Sequence, residues 1–250
     1  MPQTNLPDFD SLWDYSAPDK IETKFRELLP QFPENEPARI ELLTQIARTQ
    51  GLQRKFDEAH QTLDEVEKQL DENPSRAKVR YLLERGRVFN SSMQVEESKP
   101  LFEQALDLAK TLGEDFYAVD AIHMLAIIAD PASALTLNLS AIQLAESSLE
   151  EKARNWLGSL YNNMGWTYHD MGDYESALEI FQKAESFFRA KGNVDKLRIA
   201  AWTVARCLRS LNRLDEALSK QLALYGEIES AGEVDGFVYE EIGECLLALQ

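Results

Sequence analysis

The stretch YNNMGWTYHDMGDYESALEIFQKA, residues 161–184, has small and large residues at the spacing that two packed antiparallel helices require. Gly165 and Ala177 lie where the two helix backbones would touch, and Ala184 continues the face of the second helix. Larger side chains fill the space between these small residues. They are Tyr161, Met164, Tyr168 and Phe181. The stretch therefore predicts a helix-turn-helix hairpin.

The same pattern recurs along the chain. The position of Gly165 in the first helix is taken elsewhere by Ala47, Gly86, Ile122, Ala205 and Gly243. The small residue that opens the second helix recurs as Ala59, Ser98, Ala134, Ala177 and Ala217. The third unit departs from the pattern, because Ile122 is not small and Asp130-Pro131 replaces the usual turn. The recurrence predicts an array of hairpins.

The pattern resembles the tetratricopeptide repeat, which usually reads W-x2-L-G-x2-Y and then A-x3-F. A spacing of about 40 residues exceeds the 34 of the standard repeat, so we interpret the surplus as longer helices. The resemblance covers roughly Pro37 to Gln250. It implies an all-α fold, a right-handed superhelical solenoid of antiparallel helix pairs. Few glycines and prolines, 11 and 9, agree with a helical chain.

We expect two parts. Residues 1–36 form an N-terminal tail and a capping helix over Lys20–Leu29, with tail aromatics such as Trp13 packed on the first repeat. Residues 37–250 form about five and a half repeats. Their approximate bounds are 40–73, 79–112, 115–147, 158–191, 198–231 and 236–250.

Phe237–Gln250 reads as the first helix of an incomplete repeat. A truncated end, a final helix that tolerates solvent, and self-association through this helix are open alternatives. The chain is therefore expected to be a monomer, or to associate weakly with itself through the C-terminal helix.

Prolines mark the expected helix starts. Asn73-Pro74 and Asp130-Pro131 each place a capping side chain before a proline at the first helical position. Glu36-Pro37 and Ala17-Pro18 are expected to open helices as well.

No catalytic, cofactor-binding or metal-binding residue is predicted, and the chain is not expected to be an enzyme. His60, His123 and His169 are widely separated and form no pair at ligand spacing. His169 and Asp170 are adjacent, so on a helix they point about 100° apart, and the sequence offers them no nucleophile. No glycine-rich phosphate loop precedes a helix.

Cys207 and Cys245 occupy equivalent positions in consecutive repeats, farther apart than a disulfide allows. Both are expected to be small core residues in a reducing compartment, the cytoplasm. No signal peptide or membrane span is expected.

The net charge of −17 disfavours nucleic acid and anionic membrane surfaces as partners. Many acids fall on the second helices, which form the convex face in tetratricopeptide repeats, where they favour solubility.

The resemblance implies that the first helices line a concave groove. The residues expected there are Arg48, Arg80, Arg87, His123, Asn162, Trp166, His169, Trp202, Arg206 and Arg209. Arginine binds carboxylates, tryptophan offers an apolar platform, and asparagine pairs with peptide backbone. The pattern favours a protein or peptide ligand, an acidic one if the arginines are free. In the alternative, the tryptophans are buried between repeats and neighbouring acids neutralise the arginines.

The sequence thus favours a non-enzymatic protein–protein interaction scaffold. The first alternative is a ligand-sensing regulatory or receptor subunit of a signalling system. The second is an enzyme accessory with a small-molecule pocket near Trp166 and His169. Stacking further predicts that Gly165 tolerates alanine, whereas a bulky residue there costs about 1–3 kcal/mol.

Overall fold

The computed structural model describes residues 8–250, so residues 1–7 of the predicted tail lie outside the described residues. Every regular element in this range is helical, and none of these residues is in a strand. Within this range the helices pack in hairpins joined by short turns, as the second and third α-helices and the ninth and tenth do. The all-α prediction of helix hairpins is therefore confirmed, and the right-handed superhelical course stays a prediction.

The described chain divides into two compact units, an N-terminal unit that ends at Ile128 and a C-terminal unit, Ala129–Gln250. In the N-terminal unit, α2 packs on α3 and α4, and α4 packs on α5. Two 3₁₀ turns, Phe9–Leu12 and Leu29–Gln31, flank the first α-helix. The α-helices are α1 (Pro18–Leu28), α2 (Pro37–Leu52), α3 (Phe56–Gln69), α4 (Arg76–Ser91), α5 (Val95–Leu112) and α6 (Asp115–Ile128).

The C-terminal unit has the same hairpin organisation. Its α9 and α10 form the most extensive helix pair, and α13 packs mainly on α12. The short α8 was not foreseen from the sequence. The helices are α7 (Pro131–Ser147), α8 (Glu151–Arg154), α9 (Leu157–Asp170), α10 (Tyr174–Lys191), α11 (Val194–Ser210), α12 (Leu214–Ser230) and α13 (Gly236–Ala248).

The first helix and the end of the tail cover α2. Ile21 and Phe25 of α1 are buried, and the Trp13 ring meets the Phe25 ring edge-on at 5.6 Å. Trp13 Nε1 also donates a hydrogen bond of 2.9 Å to Gln45 Oε1 on α2. This part of the tail therefore packs as the sequence predicted.

Helix starts follow the expected chemistry with one exception. Asp130 caps α7 by accepting from the N–H groups of Ala132 and Ser133, with Pro131 at the first helical position. The prediction for Asn73-Pro74 was wrong. Helix α4 begins at Arg76, because the Ser75 hydroxyl accepts from the Lys78 N–H and caps the helix there.

Four hairpins share one turn of three residues, of which the central residue has a positive φ. A hydrogen bond closes each turn, as from the Asp173 N–H to the Tyr168 carbonyl at 3.0 Å. The central residues are Arg54, Met93, Gly172 and Asn212. Glycine adopts this conformation without strain, whereas a side chain costs about 1–2 kcal/mol. The repeated turn fixes how each second helix folds back.

Glycines at the helix crossings match aromatic rings on the second helix. A Cβ built on Gly86 or Gly165 would lie 2.5 Å from the ring of Phe102 or Phe181, respectively. Both rings are fully buried, so an added methyl group would force the ring or its packed neighbours to shift. The expectation that Gly165 tolerates alanine was therefore wrong, because even one methyl group overlaps the Phe181 ring.

Gln221 on α12 occupies the position that Phe181 has on α10. It is fully buried, and neither its Oε1 nor its Nε2 has a hydrogen-bond partner among residues 8–250. Burying an amide without hydrogen bonds is unfavourable, so this hairpin has a weaker core than the α9–α10 hairpin.

Candidate functional site

Two of the predicted groove arginines in the N-terminal unit, Arg48 and Arg87, are paired with buried carboxylates. Arg48 Nη1 lies 2.9 Å from Glu84 Oε1, and Arg87 Nη1 lies 2.7 Å from the same oxygen. Arg87 also pairs with Asp120 on α6. Glu84 and Asp120 are only 4% and 5% exposed. These arginines therefore link successive first helices of the unit.

Arg80 lies deeper in the same unit. Its Nη2 lies 2.6 Å from Asp10 Oδ1, and its Nη1 donates to the Tyr117 hydroxyl. Glu41 is 1% exposed and lies 3.9 Å from Arg80. It also accepts two hydrogen bonds from Arg76, of 2.9 and 3.0 Å. Burial raises the pKa of Tyr117 well above its usual range, although Arg80 acts in the opposite direction.

His123 on α6 is partly buried. Burial lowers its pKa below the usual 6.5; the cation of Arg87 acts in the same direction and Asp120 opposes it. The imidazole is therefore neutral near pH 7.

The N-terminal residues of the predicted groove are thus largely engaged within the unit. An acidic ligand would have to displace Glu84, Asp120 or Glu41 from arginines that they already neutralise. Neighbouring acids neutralise Arg48, Arg80 and Arg87, which is the alternative that the sequence left open, although the individual carboxylates were not identified from the sequence.

The C-terminal unit brings its six predicted site residues onto one face of two adjacent helices. Each helix carries three of them at spacings of i, i+4 and i+7, which places them on one side. We call this face the α9–α11 surface. It consists of Asn162, Trp166 and His169 on α9, and Trp202, Arg206 and Arg209 on α11.

Aromatic rings run along this surface. The Trp166 and Trp202 ring centroids are 6.2 Å apart, and Trp166 also meets His169 at 5.1 Å. Trp202 continues to Phe237 of α13 at 6.0 Å, and its Nε1 donates to the Phe237 carbonyl at 3.1 Å. Both tryptophans keep part of their surface exposed. They therefore form a partly solvated apolar platform held at a fixed tilt.

A hydrogen-bonded group borders the platform. Arg206 Nη1 donates to the Ser210 hydroxyl at 2.8 Å, and His169 Nε2 lies 2.9 Å from the same oxygen. The Ser210 hydroxyl can also donate to the Arg206 carbonyl, 3.4 Å away, so the direction of the hydrogen bond between Ser210 and His169 follows the tautomer of the neutral imidazole. Burial lowers the pKa of His169 and Arg206 lowers it further, which favours this neutral form.

Glu241 of α13 closes the group. It is 5% exposed, lies 3.0 Å from Arg206 Nε, and accepts two hydrogen bonds from Arg209 at 2.8 and 2.9 Å. The hydrogen bonds to Glu241 raise the pKa of Arg209. Sequence reasoning missed Ser210 and Glu241. The available signal was the recurring distance from arginine to acid, as in Arg48 to Glu84 and Arg206 to Glu241.

Ser210, His169 and Asp170 are the residue types of a hydrolytic triad, and the sequence reasoning overlooked the serine. Their geometry differs from that of a triad. His169 Nδ1 lies 3.8 Å from Asp170 Oδ1, which is too far for a hydrogen bond, and Asp170 is 75% exposed. The carboxylate therefore does not orient the imidazole.

Asn162 contributes less than expected. Its Oδ1 is buried and has no hydrogen-bond partner within residues 8–250, so this oxygen is not presented to solvent.

Cys207 and Cys245 are free thiols buried in one apolar cluster with Phe181 and Val204. Burial raises the pKa of Cys207 to about 11, so the thiol is protonated and unreactive near pH 7. Within residues 8–250, no group of three or more His, Cys, Asp or Glu residues is arranged to hold a metal ion. No helix in that range combines the length and apolar character needed to cross a membrane.

A family model described as tetratricopeptide repeat matches residues 123–190, less than half of the chain. This segment contains α9 and α10, the hairpin that carries the Gly165–Phe181 crossing. Residues 123–190 are therefore similar to the tetratricopeptide repeat. None of the curated proteins compared with the chain matches it significantly.

Solved structures extend the likeness over most of the chain. A putative kinesin light chain with TPR-like repeats from Podosopora anserina is 16% identical, with a TM-score of 0.62, and the match covers 80% of this chain and 99% of that one. Aspartyl phosphate phosphatase F from Bacillus subtilis is 16% identical, with a TM-score of 0.68 and coverage of 99% and 73%. NprR in complex with its cognate peptide NprX is 14% identical, with a TM-score of 0.56 and coverage of 93% and 66%. The chain therefore has the tetratricopeptide-like fold.

Proposed function

We propose that this chain is a non-enzymatic interaction scaffold that binds a peptide or protein segment on the α9–α11 surface. The observation that carries the proposal is the pair of partly exposed tryptophans, Trp166 and Trp202, fixed beside a hydrogen-bonded polar group. Partly exposed tryptophans next to arginines are typical of binding hot spots, because they bury a large area at little entropic cost. NprR, which has the same fold, was solved with its cognate peptide.

The ligand is expected to be recognised by its shape and hydrogen bonds more than by its negative charge. Arg206 and Arg209 already share Glu241, and an acidic ligand would have to compete with that buried carboxylate. Ring stacking and backbone contacts carry no such penalty. This replaces the acidic-ligand form of the hypothesis with one in which apolar or aromatic side chains meet the tryptophans.

A peptide-sensing regulatory subunit is a second candidate, and the comparison with peptide-bound NprR favours it. A regulatory subunit would bind its peptide on the same α9–α11 surface as a scaffold would. It would differ from a scaffold because ligand binding would also change hydrogen exchange in helices away from α9 and α11. The cytoplasm is the proposed compartment, since both cysteines are free thiols.

Peptides selected from a random display library on the wild-type protein test the proposal. We expect Trp166→Ala and Trp202→Ala each to weaken the selected peptides by about tenfold or more. Arg198→Ala is the matched control, since Arg198 lies on α11 outside the α9–α11 surface and pairs with the exposed Glu233. Melting temperatures show whether each variant is folded.

Two results would count against the proposal. If the selected peptides bind the two tryptophan variants as tightly as they bind the wild type, the binding site lies elsewhere. Binding that is abolished by about 0.5 M salt and by Arg206→Glu, yet insensitive to Trp202→Ala, restores the acidic-ligand hypothesis.

A further inference from the structure

The residues just before α1 lie across two first helices of the N-terminal unit. We call residues 8–17 the tail segment. Asp10 Oδ1 lies 2.6 Å from Arg80 Nη2 on α4, and Trp13 Nε1 donates a hydrogen bond of 2.9 Å to Gln45 Oε1 on α2. Arg80 is one of the residues that the sequence predicts for a ligand groove. The tail segment therefore lies where a groove ligand was expected.

Two aromatic rings of the tail segment lie beside a second predicted groove arginine. The Arg48 guanidinium carbon is 5.6 Å from the ring centroid of Trp13 and 5.5 Å from that of Tyr15. The two rings stack on each other, with centroids 4.9 Å apart. A cation over aromatic faces is attracted by their electron density. Arg48 makes these contacts while it keeps its ion pair with Glu84, so ring binding does not require the ion pair to break.

The groups that receive the tail segment are also held by residues outside it. Arg80 donates to the Tyr117 hydroxyl and lies 3.9 Å from Glu41. Gln45 Nε2 donates to the Thr44 hydroxyl at 3.2 Å, which turns its Oε1 toward the indole. None of these supporting contacts involves the tail segment. The receiving surface is therefore preorganised, which lowers the entropic cost of binding a segment there.

The tail segment is attached mainly through side chains. Among the described residues, its backbone hydrogen bonds stay within the segment or reach the start of α1. Phe9 is the anchor, because its buried ring meets Phe32 edge-on at 5.7 Å. Beyond this anchor, Tyr15 is 60% exposed and the Asp10 side chain 27%. Residues 10–15 therefore form a part that a second segment with the same side chains can replace.

We propose that this surface of the N-terminal unit binds an acidic aromatic segment of a partner protein, which displaces the replaceable part of the tail segment. The partner presents a carboxylate to Arg80, a tryptophan three positions later to Gln45 and Arg48, and a second aromatic residue two positions after the tryptophan. It takes the place of Asp10 and leaves Glu41 in position. This site lies in the N-terminal unit and is additional to the α9–α11 surface.

The test uses the full chain in two forms, the wild type and a released variant. The released variant carries Asp10→Ser, Trp13→Ala and Tyr15→Ala, and it keeps Phe9 as the anchor. In the wild type, the attached tail segment competes at a local concentration of roughly millimolar order, whereas in the released variant the surface is vacant.

The probe is a fluorescent acetylated peptide, DSLWDYSA, with the sequence of residues 10–17. Anisotropy measures its binding to each protein, and hydrogen exchange reports which helices it protects. We expect the released variant to bind the peptide at least about tenfold more tightly than the wild type does, with protection in α2 and α4.

Changes in the peptide leave the protein intact and identify the groups that are recognised. Trp13→Ala and Asp10→Asn should each weaken binding to the released variant by about tenfold, because they remove the ring contacts and the charged hydrogen bond. Asp14→Asn is the matched control, since Asp14 is exposed and accepts hydrogen bonds from Ser16 inside the segment. Its affinity should equal that of the unchanged peptide.

Four results would overturn the proposal. Equal peptide affinity of the wild type and the released variant would place the site elsewhere. An equal loss from Asp14→Asn and Asp10→Asn would show that only net charge matters. If circular dichroism shows the released variant unfolded, Asp10→Asn in the protein replaces it, and no gain in peptide affinity with that variant would make the segment part of the core. A wild-type dimer in sedimentation that Trp13→Ala dissociates would identify the occupant as the tail segment of a second copy instead of a partner protein.

Discussion

The N-terminal unit and helix α9 of the C-terminal unit use the same helix position in opposite ways. In the N-terminal unit, the residue after the small position is Arg48 on α2 and Arg87 on α4, and each forms an ion pair with a buried carboxylate. On α9 of the second unit it is Trp166, which remains partly exposed beside Trp202. A position on the predicted inner face therefore does not by itself make a binding residue.

The residue two before the small position on the next first helix decides the outcome. Where that residue is acidic, as in Glu84 after Arg48 and Glu241 after Arg206, an ion pair forms. After Trp166 the corresponding residue is Thr203, which donates to the backbone of its own helix at Ala200. Without a carboxylate to pair with, the position is free for an aromatic ring.

The largest expected effect comes from removing one buried carboxylate from each unit. Glu41→Ala should cost about 3–5 kcal/mol, because Arg80, only 5% exposed, loses a nearby anion and Arg76 its bidentate partner. Glu241→Ala should cost about 1–3 kcal/mol, since Arg206 and Arg209 are 28% and 21% exposed and water can solvate them. Denaturant unfolding and hydrogen exchange within each unit measure both losses. Equal losses would remove the contrast between the units.

Next in size is the Gly165 crossing. Gly165→Ala should destabilise by about 1–3 kcal/mol, because the methyl group overlaps the buried Phe181 ring. Adding Phe181→Leu should recover part of this loss, which a double-mutant cycle measures. Gly243→Ala is the control and should stabilise α13 by up to about 1 kcal/mol. A neutral Gly165→Ala would show that the helices separate easily.

A smaller effect of opposite sign is expected at Gln221. Gln221→Met keeps the volume and removes an amide that is buried without a hydrogen bond, so the C-terminal unit should gain about 1–2 kcal/mol. Thermal and denaturant unfolding give the change. A loss of stability would mean that the amide is hydrogen-bonded in solution.

The smallest effect is a pH dependence shared by both units. Burial lowers the pKa of His123 and His169 in the folded protein from the usual 6.5. The unfolded chain then binds protons at a higher pH than the folded chain, so stability is full above about pH 6.5 and falls as the pH drops below it. Melting temperatures at pH 7.5 and 5.5 should differ more for wild type than for the variant with His123→Gln and His169→Gln. An unchanged difference would assign the effect to other groups.

Much of the fold was predictable because helix crossings leave small residues at fixed intervals. Gly165 and Ala177 located the α9–α10 hairpin. The same repeat spacing located helices in the other predicted repeats, including the third, in which Ile122 departs from the pattern. The start of α4 was missed because Asn73-Pro74 and Ser75 compete as caps, and only the backbone geometry shows which side chain reaches an N–H. The repeated turn was missed too, since Arg54 and Met93 are not residues that favour a positive φ.

The site was harder to predict than the fold. Sequence spacing put Trp166, His169, Trp202, Arg206 and Arg209 on one side of two helices, and contacts join Trp166 to Trp202 and both His169 and Arg206 to Ser210. Their role as a binding site stays a prediction. Partners on other helices, such as Ser210 and Glu241, depend on how neighbouring repeats are offset. That offset follows from packing, which the order of residues along one helix does not reveal.

The match between Gly86 and Phe102, and between Gly165 and Phe181, also limits how such a chain diversifies. Recombination that moves one helix of a hairpin without the other would place an aromatic ring against a side chain instead of a glycine, or would leave a cavity beside the glycine. Duplication and shuffling are therefore expected to proceed in whole hairpins, and libraries of chimeras should retain folded members only when their junctions respect that boundary.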